Sequence, residues 1–159
     1  MKVKPFIAVL FRSATEPLLQ VFERTLTQKI GLFDTVSPRF DVPGTAAEQA
    51  ELGEPLARVF YSLTQPIPPA YLGLMKKKAV EVEGFFANEG RRPLLLDAGY
   101  VGREEVMLAG AGDTTEKMLL FYQGHWLAEP AAAGRGFDDR LTYDFFTKLR
   151  ATLPHLTLV

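Results

Sequence analysis

The chain has 159 residues, 47% hydrophobic and 23% charged, with a formal net charge of −1. This is the composition of a folded, soluble protein rather than a disordered one, and it offers no general pull toward nucleic acid. With no cysteine and only His125 and His155, disulfides, thiolate nucleophiles and Cys- or His-rich zinc sites are excluded, while carboxylate-bound Mg²⁺ or Ca²⁺ stays open.

A chain of this length fits one domain, residues 1–159, that buries roughly 70% of its unfolded surface. "MKVKPFIAVLF" opens like a signal peptide, but its apolar run is short and "RSATEP" is a poor cleavage site. Nothing approaches the ~20 apolar residues that span a bilayer, so a cytoplasmic protein is expected. "PFIAVLF" (5–11) is instead a core strand, β-branched and aromatic. Thr15 is expected to cap a helix whose buried face is Leu19, Phe22, Leu26 and Ile30, closed by a left-handed Gly31.

"LFDTVSPRFDV" (32–42) reads as an extended, bent strand confined to an edge by Pro38. Residues 43–55 form a loop with one helical turn, and "LARVFYSLTQPI" (56–67) is a third strand. Pro68 and Pro69 open the longest helix, with the stripe Leu72, Met75, Ala79, Val82 and Phe86, ended by Gly90. "RRPLLLDAG" is a fourth strand that stops at Asp97. Gly102 caps a short helix, "REEVMLA", ended by glycines 110 and 112. "EKMLLFYQGHWLAEP" is a hairpin turning at Gln123-Gly124. Residues 131–139 are a flexible connector to a last helix with Leu141, Phe145, Leu149 and Leu153 inward, stopped by Pro154.

The order β-α-β-β-α-β predicts an α+β protein with a ferredoxin-like core and helices on one sheet face, extended by a short helix, a hairpin and a C-terminal helix. The runner-up is a three-layer sheet with the last helix on the opposite face.

Motifs for known chemistry are missing. "AGAGDTTEK" (109–117) has glycines but not the Gly-Lys-Ser/Thr end of a phosphate loop, and no dinucleotide fingerprint, nucleophile elbow or HExxH occurs. No cofactor is therefore assigned. His125, in a hairpin turn, and His155, near the C-terminus, are weak triad members. "KKK" (76–78) reads as a solvated face or an anion patch. Trp126 packs across the hairpin or roofs a ligand.

Asp97 is the sharper feature. As a turn residue it folds back onto the backbone as an Asx-turn, with Gly99 at positive φ. As a site residue it is a carboxylate held at a strand end, with glycines admitting a ligand, Tyr100 beside it, and a helix N-terminus adding amide donors.

"NEGRRPLLLDAGYVG" resembles the central signature of a bacterial and archaeal family, domain of unknown function 4416, which reads Gly-Arg-x-hydrophobic-Asn-Leu-Asp-Pro-Gly-Tyr-Leu. "KPFIAVLF", "FDVPGTAAEQAELG", "LARVFYSLTQPIPP" and "YDFFTKLR" resemble other segments of that family in the same order. The resemblance spans nearly the whole chain. It implies functional weight at Asp41, Glu51, Gly53, Arg58, Lys76, Glu83, Arg92, Asp97, Gly99 and Tyr100. The chain departs from the pattern at Leu95 and Ala98, and "AGAGDTTEKM" lacks the basic residues of that segment.

Three readings follow. The first is a small-molecule-binding module with a pocket at Asp41, Arg58, Asp97, Gly99, Tyr100 and Trp126. The second is a metal-assisted hydrolase or transferase in which Asp41 and Asp97 converge. The third is a protein-interaction domain, or a homodimer, acting through an exposed sheet edge. Neither nucleic acid nor membrane is an expected partner.

Overall fold

The computed structural model describes residues 1–133 and 135–153. The predicted stop at Pro154 and the weak candidate His155 lie outside the described residues. In chain order the elements are β1 (Lys4–Arg12), α1 (Leu19–Lys29), β2 (Phe33–Val36), β3 (Phe40–Val42), α2 (Ala46–Leu52), β4 (Leu56–Leu63), α3 (Leu72–Phe86), β5 (Leu94–Val101), β6 (Glu105–Ala109), β7 (Thr115–Tyr122), β8 (His125–Ala128), α4 (Pro130–Ala133) and α5 (Arg140–Ala151). No described helix is long and apolar enough to cross a membrane.

The strands form one eight-stranded antiparallel sheet, in the order β2-β4-β1-β5-β6-β7-β8, with β3 also on β4. The protein is thus a mixed α+β fold. Alternation along β1 splits its side chains between two cores. Ile7, Val9 and Phe11 meet Phe22 and Leu26 of α1 and Leu72, Met75 and Val82 of α3 on one face. Phe6, Ala8 and Leu10 meet Phe145, Phe146 and Leu149 of α5 on the other. On that second face Phe60 is stacked on Phe145, 5.6 Å between centroids, and edge-on to Phe137 at 5.4 Å. Such pairs each add about 0.5–1.5 kcal/mol beyond the area they bury. The last helix therefore lies opposite α1 and α3, as the three-layer alternative has it, and not on a shared face.

The 32–42 segment is an edge strand in two pieces, since β2 and β3 both pair with β4. Ser37 holds the break: its N–H donates to Phe60 O and its Oγ accepts from Phe60 N–H. The hairpin turn is as predicted, with Gln123 at φ 51° and Gly124 at φ 82°, the left-handed pair a tight two-residue turn needs.

Several expectations fail for local reasons. Residues 13–18 form a 3-10 turn, so Thr15 does not cap α1, whose first turn has no side-chain cap. Gly31 is not at positive φ; α1 ends instead with the N–H groups of Ile30 and Gly31 both on Leu26 O. Helix α3 ends at Phe86, and Gly90 turns the tight bend joining Asn88 to Arg91. Leu141 is 61% exposed; Thr142 and Phe146 take inward positions on α5. The short helix "REEVMLA" is strand β6, because Val106 and Leu108 alternate into the α5-side core. Finally, the fourth strand does not stop at Asp97 but runs on to Val101.

Candidate functional site

Strand β5 pairs with β1 along its whole length, Leu94 to Val101, but with β6 only over Gly99–Val101. Beyond Gly99 the two strands splay, leaving the Leu94–Ala98 side of β5 without a strand partner. A row of unpaired backbone groups inside a fold needs other partners. One is supplied by α3: Glu83 Oε2 accepts the Leu96 N–H at 2.7 Å.

Helix α3 runs along this fork because its apolar stripe faces the sheet, which carries Lys76, Val80 and Glu83 along one flank at helical spacing. Lys76 reaches across and donates from Nζ to the Gly110 carbonyl beyond the end of β6. Glu83 is buried, and burial pushes its carboxyl pKa up, against the lowering effects of the Leu96 N–H and of Arg92. Arg92, in the turn before β5, ties α2 to α3. Its Nε and Nη2 grip Glu51 of α2 at 2.7 and 2.8 Å, and its Nη1 reaches Glu83 Oε1 at 3.0 Å. The hydrogen bonds from Arg92 hold the Glu51 carboxyl below its usual range despite partial desolvation.

The other wall belongs to the α5 face. Asp97 points there, because its neighbours Leu96 and Ala98 pack toward α1 and α3. Its Oδ2 lies 3.0 Å from Arg135 Nη2. Behind them Arg58, 2% exposed, donates from Nη1 to Arg135 O at 2.6 Å and lies 4.8 Å from the Phe137 ring centroid. Burial pulls the Arg58 pKa down, while Asp97 and Glu48 push it back. Glu48 arrives at this wall from α2. It closes a capping box with Thr45, whose N–H donates to Oε1 at 2.8 Å. Between the walls lies a cavity of about 260 Å³, lined by Lys76, Glu83, Leu96, Asp97 and Arg135 among others.

A larger cavity of about 390 Å³ sits toward the other end of the sheet, by Pro5, Ile30, Leu63 and Tyr71. No charged side chain lines it, and its polar groups are neutral ones on Thr64, Gln65 and Tyr71. The fork is the better candidate because its polar groups converge.

The predicted site residues scatter. Asp97 is in the cleft and Arg58 backs it. Gly99 serves packing and is not at positive φ: a Cβ there would lie 2.5 Å from Phe6 Cζ and 2.6 Å from Met107 O. Neither the Asx-turn nor the helix N-terminus exists, since Asp97 is inside a strand and β6 follows. Tyr100 is 7% exposed in the core under α1 and α3, outside the cleft. Trp126 roofs nothing; it is buried against α5 and donates from Nε1 to Thr147 Oγ1 at 3.0 Å. His125 is an exposed residue at the start of β8.

Asp41 lies across β4 and β1 from β5 and faces the other side of the sheet from Asp97, since Phe40 and Val42 occupy the α5 side. With strands ~4.8 Å apart, the two aspartates are separated by at least ~14 Å. The paired-aspartate centre is thereby overturned, and among the described residues no group of three His, Asp or Glu is placed to hold a metal.

Residue-by-residue reading missed Glu48, Glu83, Arg92 and Arg135 and read Lys76 as part of a solvated face or an anion patch. The Thr-x-x-Glu capping box was a readable signal for Glu48. Of the positions weighted by resemblance, Glu51, Lys76, Glu83, Arg92 and Asp97 all meet at this fork. The model of the family described as Domain of unknown function (DUF4416) matches residues 1–152. The chain belongs to this family. No curated protein and no solved structure matches it. The family match covers every element that builds the fork, from β1 through α5.

Proposed function

We propose that this protein is a small-molecule-binding module whose site is the cleft between β5 and β6. The observation that carries this reading is the open Leu94–Ala98 edge, facing a cavity lined by charged side chains of both signs. Cavities that orient small ligands combine apolar walls with a few fixed polar groups. Here Val80, Leu96 and Ala98 supply the first and Lys76, Asp97 and Arg135 the second. At about 260 Å³ the space suits a molecule well below drug size.

The fold reading that accompanies it is a ferredoxin-like core. The order β2-β4-β1-β5, with α1 and α3 as the two crossovers on one face, supports it. A reading as a sheet-edge interaction domain draws less support, because the outer strands β2, β3 and β8 have only four, three and four residues.

The test is a metabolite library screened by thermal shift, with hits located by amide chemical-shift mapping. Hits are expected to move the Leu96, Asp97 and Ala98 amides and to weaken in Asp97→Asn. A library whose hits all map elsewhere, or none at all, would remove the cleft as the site.

A further inference from the structure

The uncharged cavity by Pro5, Ile30, Leu63 and Tyr71 has a backbone frame fixed by hydrogen bonds. Past the end of β4 the Thr64 N–H donates to Leu32 O, beyond the end of α1, and Val3 and Ile67 exchange both of their N–H···O bonds just before α3. The floor is core: Leu63, Ile67 and Met75 are buried members of the cluster that α1 and α3 cover. The polar lining residues Thr64, Gln65 and Tyr71 are the exposed ones, and they are neutral. At Gly31 the wall carries no side chain, and a Cβ there would meet no atom within 4 Å. Protein interiors pack as densely as organic crystals, so a recess of about 390 Å³ that reaches core side chains is far larger than a packing defect. Water finds few hydrogen bonds over an apolar floor, and apolar cavities take up small apolar molecules instead.

We propose that this recess is a second ligand site, independent of the cleft, for a small uncharged aromatic molecule with one polar group, an aryl alcohol being the simplest case. Its volume of about 390 Å³ falls within the range of pockets that enclose small ligands. The ligand is uncharged because a charge pressed against Leu63, Ile67 and Met75 loses its water and meets no opposite charge among the lining residues. It is aromatic because the Met75 thioether and the Tyr71 ring are both favourable neighbours for a ring. Its polar end lies toward the exposed rim, where the Thr64 hydroxyl and the Gln65 amide each offer a donor and an acceptor.

The experiment titrates the full chain with benzyl alcohol, cyclohexylmethanol, benzoate and benzylamine, followed by amide chemical shifts. Benzyl alcohol is expected to bind and to move the Gly31, Leu32 and Thr64 amides while those of Leu96–Ala98 stay in place. Cyclohexylmethanol should bind about threefold more weakly, and benzoate and benzylamine at least about tenfold more weakly. Gly31 is not at positive φ, so Gly31→Leu should fold with the melting temperature of the parent. By filling the recess it should weaken benzyl alcohol by at least about tenfold, and Gly31→Ala by less. Tyr71→Ala, at an exposed side chain, carries the test if Gly31→Leu fails to fold, with a loss of about threefold. No binding of benzyl alcohol, equal or tighter binding of any of the other three probes, unchanged affinity in the variants, or shifts confined to Leu96–Ala98 overturns the assignment. So does self-association of the chain that Gly31→Leu abolishes in sedimentation, since the recess would then be a contact between copies. The cleft is tested by its own amides, so its reading survives the loss of this one.

Discussion

Strands β1 and β5 lie side by side in the same sheet, and the contrast between them locates the site. Strand β1 pairs on both edges along nearly its whole length and is buried from Lys4 to Phe11. Strand β5 matches it only in its second half; from Leu95 to Asp97 it is half-buried and open on one edge. Apolar side chains suffice where the backbone ladder is complete. Where the ladder parts, charged side chains gather, because amides without a strand partner need other acceptors. Glu83 on the Leu96 N–H is the clearest case.

The contrast is broken most severely at the point where β5 and β6 close. Gly99 has the Phe6 ring, Met107 O and Leu108 within 2.7 Å of any added Cβ. Gly99→Val should destabilise the fold by about 3 kcal/mol, the upper end for overpacking, seen as a lower midpoint in urea denaturation. A small change there would mean that β6 is free to move away, and that the fork is wider than its resting geometry.

This junction also marks where sequence reading stopped working. Strand β1 was legible because Phe6, Ile7, Val9 and Phe11 place four β-formers in one short apolar run, and the α3 stripe because five apolar positions keep helical spacing over fifteen residues. "EVMLA" is too short for either test: five residues carry the apolar alternation of a strand and the start of a helical face equally well. Asp97 misled for a different reason. Aspartate is depleted in strands and favoured in turns, and here its mid-strand carboxylate is partly exposed and paired with Arg135 from a distant connector. No periodicity announces an arginine that arrives from 38 residues along the chain. The resemblance to a family weighted Glu51, Lys76, Glu83 and Arg92 without saying that they meet; the splayed strands supply the reason.

A sharper probe of the fork uses two acids on one arginine. Burial raises the Glu83 pKa above its ordinary 4.5, so its stabilising contribution is complete below that value and is lost as pH rises through the folded pKa. Arg92 lowers the Glu51 pKa below 4.5, so its contribution is present above that value and is lost as pH falls. Urea denaturation from pH 3 to 8 should therefore show opposite trends. Relative to the parent, Glu83→Gln gains stability as pH rises, and Glu51→Gln loses it. Parallel trends would mean that both carboxyls sit in one solvated environment and that the fork is not a partly dry recess.

The smallest effect is expected at Asp41, and it bears on where the site ends. Its side chain is 83% exposed, and its nearest cation, Arg39 Nε, is 3.9 Å away on an arginine that is itself 45% exposed. Exposed pairs of this kind contribute little, since water screens them and side-chain entropy opposes them. Asp41→Ala should change stability by less than about 0.5 kcal/mol. It should also leave the binding of library hits at the cleft untouched, because Asp41 faces the side of the sheet away from Asp97. A loss of binding comparable to that in Asp97→Asn would require a path from the outermost strand to the cleft across β4 and β1. The rigid, fully paired core of β1 offers no such path, so that outcome would mean the ligand sits elsewhere.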